Sequence, residues 1–288
     1  MTLDRRDFLK ASLTVSAGAA LSVPTADALG ELALADVAAK DREFYELRCY
    51  HRKADTRLKA DADPTPLDAY FEHALFPALA IRRITNVGAF TEVDINRAAA
   101  TMTPKAGSPL WLLIPHASFE SFVRVSAEIN DDRAVQTAGR EYLELPKSRP
   151  AFERIDTWLL RAFAGMPRME LPTFSLAKSS SRVFEMRDYE SYSEAKALNK
   201  MAMFNETEIT VMRDLGMSPM FFGQALAGRD LPHLRYITGG VDLTAHLSAW
   251  AKFGTDPRWV AIKDLPRFAD NVSKNTSRFL VPTSYSAI

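Results

Sequence analysis

Tyr45-Glu46-Leu47-Arg48-Cys49-Tyr50 returns as Phe184-Glu185-Met186-Arg187-Asp188-Tyr189. Glu, Arg and Tyr recur at identical spacing, and the aromatic and aliphatic positions between them match. Further along, Leu110-Trp111-Leu112-Leu113-Ile114 leads into Phe119, Phe122 and Val125. Its counterpart is Leu234-Arg235-Tyr236-Ile237, which leads into Leu243, His246 and Ala249. The offset is 139 at the first block and 124 at the second. The first copy therefore carries extra residues, accommodated by the polar stretches Arg52 to Thr65 and Arg97 to Ser108. Two copies of roughly 110–120 residues make a tandem duplication, since solenoid repeats are shorter and more numerous.

Each copy has the same coarse order. Phe44 to Tyr50 alternates and is rich in strand formers. Thr65-Pro66 starts a helix, with Thr as N-cap and Pro at the first helical position, and Leu67, Tyr70, Phe71, Ala74 and Leu75 have helical apolar spacing. Asn86 to Ile95 reads as a strand, Thr103 to Pro109 as a turn, and Leu110 to Ile114 as a buried strand. Ser118 caps a second helix, and Arg154 to Phe163 is a fourth strand. The second copy runs strand 182–189, helix 193–214, strands 219–226 and 233–239, helix 242–253 and strand 277–285. This β-α-β-β-α-β order is the ferredoxin-like unit, whose sheet carries helices on one face and leaves the other uncovered. The expected fold is α+β: two tandem ferredoxin-like units whose open faces cover each other in an intramolecular α/β barrel. The expected organisation is an N-terminal linker at 29–43, a first domain at 44–165, a linker at 166–181 and a second domain at 182–288.

Composition narrows the class. The chain has 288 residues, 47% of them apolar and 25% charged, which suits a globular core. Lys+Arg and Asp+Glu are both 36; this neutral balance gives no reason to expect a nucleic-acid partner. A single cysteine, Cys49, excludes an intramolecular disulfide and a cysteine-based zinc site. Arg5-Arg6-Asp7-Phe8-Leu9-Lys10 resembles the twin-arginine export motif, with Asp4 where Ser or Thr is usual. A weakly apolar stretch from Ala11 to Val23 and the small-x-small site Ala26-Asp27-Ala28 follow. Residues 1–28 therefore read as a signal peptide, too short in its apolar part for a stable membrane span. The implied location is periplasmic or secreted, through the twin-arginine pathway.

The blocks Tyr45-Glu46-Leu47-Arg48-x-Tyr50 and Leu234-Arg235-Tyr236, with Ala249-Trp250-x-x-Phe253 and Asp256-Pro257-x-Trp259, resemble the NIPSNAP domain family, which is related to dimeric α/β-barrel proteins. The first copy has Asn130-Asp131-Asp132 and no Trp at the corresponding ending. The resemblance implies the ferredoxin-like fold and brings no catalytic set to transfer. Related barrels host cofactor-free monooxygenases and haem-dependent proteins.

Strand alternation places Glu46, Arg48 and Tyr50 on one face and Tyr45, Leu47 and Cys49 on the other. Glu185, Arg187 and Tyr189 oppose Phe184 and Met186 in the same way. The apolar faces are expected beneath the helices, which turns the Glu/Arg/Tyr faces into the barrel. There they are either ion pairs that pin the sheets or the polar floor of a ligand cavity, where Arg would grip a carboxylate. His116 at a strand end and His246 on a helical apolar stripe complete the candidate ligand-binding set: Glu46, Arg48, Tyr50, His116, Glu185, Arg187, Tyr189 and His246. Metal-ligand motifs of the His-Glu-x-x-His kind are absent, and no metal site is expected. The leading functional expectation is a binding or accessory protein for a small polar or anionic ligand, without a cofactor and with oligomerisation open. The alternative is a barrel enzyme, either a cofactor-free monooxygenase or a haem-dependent type with His116 or His246 as axial ligand.

Overall fold

A computed structural model describes residues 41–52 and 65–288, all within the unit Lys40–Ile288. The signal peptide, most of the 29–43 linker and nearly all of the Arg52–Thr65 insertion lie outside the described residues. The strands are β1 Phe44–Arg52, β2 Gly88–Asn96, β3 Thr101–Pro104, β4 Leu110–His116, β5 Phe152–Ala162, β6 Val183–Glu190, β7 Phe221–Ala227, β8 His233–Gly240 and β9 Lys274–Pro282. Hydrogen bonding runs in the order β2-β4-β1-β5-β7-β8-β6-β9, and β9 pairs back onto β2. The result is a closed eight-stranded antiparallel barrel, with β3 a hairpin arm on β2. The two copies join edge to edge at β5–β7 and β2–β9, so closure leaves no free sheet edge in the barrel. The duplication is visible in the register. Phe44 pairs with His116 and Glu46 with Ile114; Val183 pairs with Gly240 and Glu185 with Thr238.

The first-copy helices are α1 Pro66–Tyr70, a π-helical stretch Phe71–Leu75, α2 Phe76–Ile81, α3 Phe119–Asp131, α4 Arg133–Ala138 and α5 Arg140–Leu143. Thr65 caps α1 in a capping box with Asp68, and Ser118 caps α3. A short α6, Thr173–Leu176, lies between the copies. The second copy has α7 Glu194–Met203, a π-helical stretch Phe204–Glu208, α8 Ile209–Asp214, α9 Leu243–Thr255 and α10 Pro257–Lys263. Asp256 ends α9 and caps α10, while Trp259 packs on Phe253 at 4.9 Å between ring centroids. Among the described residues, no helix is long and apolar enough to cross a membrane.

The facing expected for the paired strands is reversed. Tyr45, Leu47 and Cys49 share one buried cluster with Phe184, Met186, Phe221 and Ile237, which is the barrel interior. Tyr50 belongs instead with Leu67, Phe71, Leu75, Val125 and Ile129 of the helix layer, and Tyr189 with Ala197, Met201 and Phe204. The Glu/Arg/Tyr rows thus lie on the outer face, under the helices. Alternation in β1 and β6 could not decide this, because both faces of the sheet are covered and neighbouring β4 is apolar on both. On the outer face the cleft between sheet and helices leaves the Arg48 side chain 23% exposed and pairs it with Glu46, which lowers the cost of holding the charge there.

The interior is layered. Met169, Leu171 and Phe174 of the inter-copy segment pack onto its apolar part, and Ile288 is buried there. Farther along β1 and β6, charges appear. Asp188 accepts from Arg235 Nε and from Arg278 Nη1 (2.5 Å). Glu92 accepts from Trp111 Nε1 at 2.9 Å, and the Arg235 guanidinium lies 4.2 Å over the Trp158 ring. His51 lies at 2.8 Å from Asp156, on the interior side and away from Tyr50. Burial, then Glu92 and Asp156, push the Cys49 thiol up to about 12, so it is inert at neutral pH.

Candidate functional site

The eight residues singled out from the sequence assemble into two equivalent constellations, one per copy, neither of them inside the barrel. In the first, Arg48 Nε donates to Glu46 Oε1 at 2.6 Å, and His116 Nε2 lies 3.4 Å from Glu46 Oε2. Tyr50 stacks edge-on against Phe71 at 5.2 Å. Burial raises the Glu46 carboxyl, but the hydrogen bond from His116 and the charge and hydrogen bond of Arg48 outweigh it and hold the group below the usual carboxylate range. Because a carboxylate only accepts, His116 Nε2 carries the hydrogen. The other ring nitrogen, Nδ1, is buried and has no partner among the described residues.

In the second copy, Glu185 Oε1 accepts from Arg187 Nη1 at 2.9 Å and from Ser277 Oγ, and Oε2 is 2.9 Å from His246 Nε2. Burial opposes ionisation, yet the His246 hydrogen bond and the Arg187 charge bring the Glu185 carboxyl down to about 2. Tyr189 and Tyr236 share a hydrogen bond between hydroxyls at 3.1 Å.

The imidazole reaches the carboxylate from different elements. His116 is on strand β4 and stacks on Phe122 of α3 at 5.5 Å. By the register above, Gly240 holds the place of His116 on β8, and at the offset of 124 His246 of α9 holds that of Phe122. A Cβ on Gly240 would stand 2.7 Å from His246 Cβ. The glycine is therefore what lets the helix-borne imidazole occupy the site.

One further difference separates the copies. At the same offset Ser126 holds the place of Trp250. In the second copy the Arg187 guanidinium lies 4.6 Å over the Trp250 ring, and the Trp250 indole nitrogen is 3.1 Å from His246 Nε2. The indole fills that site. In the first copy a cavity of about 360 Å³ opens between β1, β4, β5 and α3. Glu46, Arg48, Tyr50 and His116 form its polar side; Leu79, Ile114, Phe122, Val125 and Ile129 form an apolar side, and Ser126 also lines it. A few convergent polar groups on an apolar wall are the usual make-up of a small-molecule site. This cavity lies outside the barrel, beneath the helices of the first copy. The substitution was legible: it stands one residue beyond the aligned pair Val125 and Ala249.

The surroundings of His116 and His246 do not fit haem ligation. His246 has no exposed surface and its Nε2 faces Glu185 and Trp250. His116 is 1% exposed, its Nε2 is turned to Glu46, and the cavity beside it lies near the small end of ligand pockets, without room for a macrocycle. Among the described residues, no group of three His, Cys, Asp or Glu is arranged to hold a metal ion.

The acidity of Glu185 makes stability pH-dependent. Its folded value of about 2 lies below the ordinary 4.5, so the stabilisation is complete above the unfolded value and is lost as pH falls through the folded one. Glu185 is expected to account for about 3 kcal/mol of the stability that denaturant melts lose between pH 5 and pH 2. Glu185→Gln should lower stability at pH 6 and flatten this part of the profile. An unchanged slope in the variant would contradict the assignment.

Fold and paired sites together define the class: a single-chain α/β barrel of two ferredoxin-like units, one with an open polar-headed pocket. Residues 184–287, the second copy, match the NIPSNAP family model. Among solved structures it is similar to a candidate monooxygenase of Fusobacterium nucleatum, at 8% identity and a TM-score of 0.50, over 84% of this chain and 92% of that one. It is also similar to a NIPSNAP family protein of Agrobacterium tumefaciens, at 21% identity and a TM-score of 0.34, over 37% of this chain and 90% of the other. A haem-binding protein of Thermus thermophilus is similar at 10% identity and a TM-score of 0.41, over 85% and 93% of the two chains. No curated protein matches the sequence.

Proposed function

We propose that this is an exported binding protein whose first-copy cavity takes a small molecule with an apolar body and a carboxylate or similar anionic head. The observation that carries the reading is the contrast between the copies: the same Glu, Arg, Tyr and His are capped by an indole in one and face a cavity in the other. Arg48, partly exposed with Nε held by Glu46, supplies the remaining guanidinium donors to an anionic head. Leu79, Ile129 and Phe122 would cover the body. Titration calorimetry with 4-ethylbenzoate as probe tests this. Binding is expected to fall at least about tenfold in Arg48→Gln and to vanish in Ser126→Trp, with both variants folded. Binding unaffected by Ser126→Trp would overturn the assignment.

The oriented His116 favours an enzymatic second reading. The imidazole lines the cavity and would take a proton from an acidic substrate there, the first step of oxygenation without a cofactor. Oxygen uptake with a hydroquinone probe, abolished in His116→Ala, would establish it; uptake at the buffer rate would leave binding alone.

Export rests on the Arg5-Arg6 motif and the Ala26-Asp27-Ala28 site. Replacing both arginines by lysine should retain the precursor inside the cell. Mature protein still exported through the twin-arginine pathway would refute that reading.

A further inference from the structure

Two more positions distinguish the copies, and both bear on what the first cavity accepts. In the second copy the Tyr189 hydroxyl is tied to that of Tyr236 at 3.1 Å. Tyr236 stands opposite Arg187 in the sheet, and the residue opposite Arg48 in the first copy is Leu112. Leucine has no polar atom, so the Tyr50 hydroxyl lacks the partner that holds its counterpart. The other position is on the helix. Both π-helical stretches begin with a phenylalanine, Phe71 and Phe204, and the residue before it is Tyr70 in the first copy and Met203 in the second. The first copy thus frees one phenol and gains another.

Both phenols reach the same place. Tyr50 and Tyr70 line the cavity with Arg48, and their rings flank Phe71 at 5.2 and 5.8 Å between centroids. Burial weighs against the Arg48 charge, and Glu46 and then the Tyr50 hydroxyl beside it more than offset this. A guanidinium only donates, so the Tyr50 oxygen accepts on that side and keeps its own hydrogen to give. Burial first, then Tyr50, raise the Tyr70 phenol, which is therefore also an O–H donor at neutral pH. Next to the cation that takes a carboxylate stand two neutral donors. With Glu46 already 2.6 Å from the guanidinium, the site has little positive charge to spare for a second anion. A neutral acceptor oxygen on the carbon beside the carboxylate meets both conditions.

We propose, building on the reading of the first cavity as a site for an anionic head, that its ligand is a 2-oxo acid with an apolar body. The carboxylate goes to Arg48, and the oxo oxygen accepts from the Tyr50 and Tyr70 hydroxyls. Tyr50 and Tyr70 are then specificity-determining residues, which tell a 2-oxo acid from a plain carboxylic acid of the same shape.

Titration calorimetry with two probes tests this. They are (4-ethylphenyl)oxoacetate and (4-ethylphenyl)acetate, which differ only by C=O against CH₂ beside the carboxylate. The wild-type protein is expected to bind the oxo acid about tenfold more tightly. In the double variant Tyr50→Phe, Tyr70→Phe that preference should shrink to about twofold or less, with each single variant in between. Because the readout is a ratio within one protein, a general weakening of the pocket does not imitate it. The single variants also keep the test open if the double variant fails to fold. Equal affinity for the two acids in the wild-type protein would overturn the proposal and leave the anion site standing. A preference that survives both substitutions would overturn it as well, since the phenols would not be reading the oxo group. If neither acid binds, and 4-ethylbenzoate does not bind either, the reading of the cavity as an anion site falls and the proposal falls with it.

Discussion

Trp250→Ser is expected to destabilise the protein by about 2–4 kcal/mol and to open in the second copy a cavity like that of the first. The loss has two parts. Removing a partly buried indole empties space between α9 and the sheet, and cavity formation dominates such large-to-small changes. Arg187 also loses the aromatic face 4.6 Å from its guanidinium, an interaction worth about 0.5–2 kcal/mol. The Glu185–His246 pair remains, with Arg187 newly accessible, so the variant should gain a second, weaker site for 4-ethylbenzoate. The reciprocal Ser126→Trp should leave stability within about 1 kcal/mol, because the cavity already has room. Denaturant melts and binding stoichiometry check both changes. If Trp250→Ser costs nothing and the stoichiometry stays at one, the indole is no plug.

Asp188→Ala is expected to cost about 3–5 kcal/mol, the largest effect of any substitution considered. Asp188 is buried inside the barrel, where it accepts from both Arg235 and Arg278. Burial raises its carboxyl; Arg235 and then Arg278 more than offset this and leave it below the usual range. Without it, the Arg235 guanidinium is stranded with 3% of its side chain exposed, and Arg278 is left 3.9 Å from Glu92. The double variant Asp188→Ala, Arg235→Leu should be less damaging than Asp188→Ala alone, because it removes the unpaired charge as well as its partner. Chemical denaturation of the single and double variants measures this. Additive losses would show that the network is dispensable and that the barrel interior tolerates the cation.

The duplicated strand motif was enough to read the fold, because Glu, Arg and Tyr at fixed spacing mark one strand of a unit and their return marks a second unit. Helix starts were equally legible at Thr65 and Ser118, where a cap and a following apolar period coincide. The facing of the strands was not. Alternation separates two faces without naming which is inner, and here both are covered. The ionic layer inside the barrel was missed for a related reason. Asp188 and Arg235 interrupt apolar rows of β6 and β8, but their proximity arises only when Asp188 pairs with Arg235 across the sheet. The exchange of His116 and Phe122 for Gly240 and His246 was present in the alignment of the copies, and its meaning appears only when both imidazoles are seen to reach the same carboxylate position.

The claim most worth testing is that the ligand lies outside the barrel, under α3, in the first copy only. A crystal soaked in 4-bromobenzoate decides it through the anomalous signal of bromine. The account predicts one strong peak per chain among Ile129, Phe122 and Leu79, with the carboxylate turned to Arg48. A peak inside the barrel beside Trp111 and Arg235, or equal peaks in both copies, would contradict it.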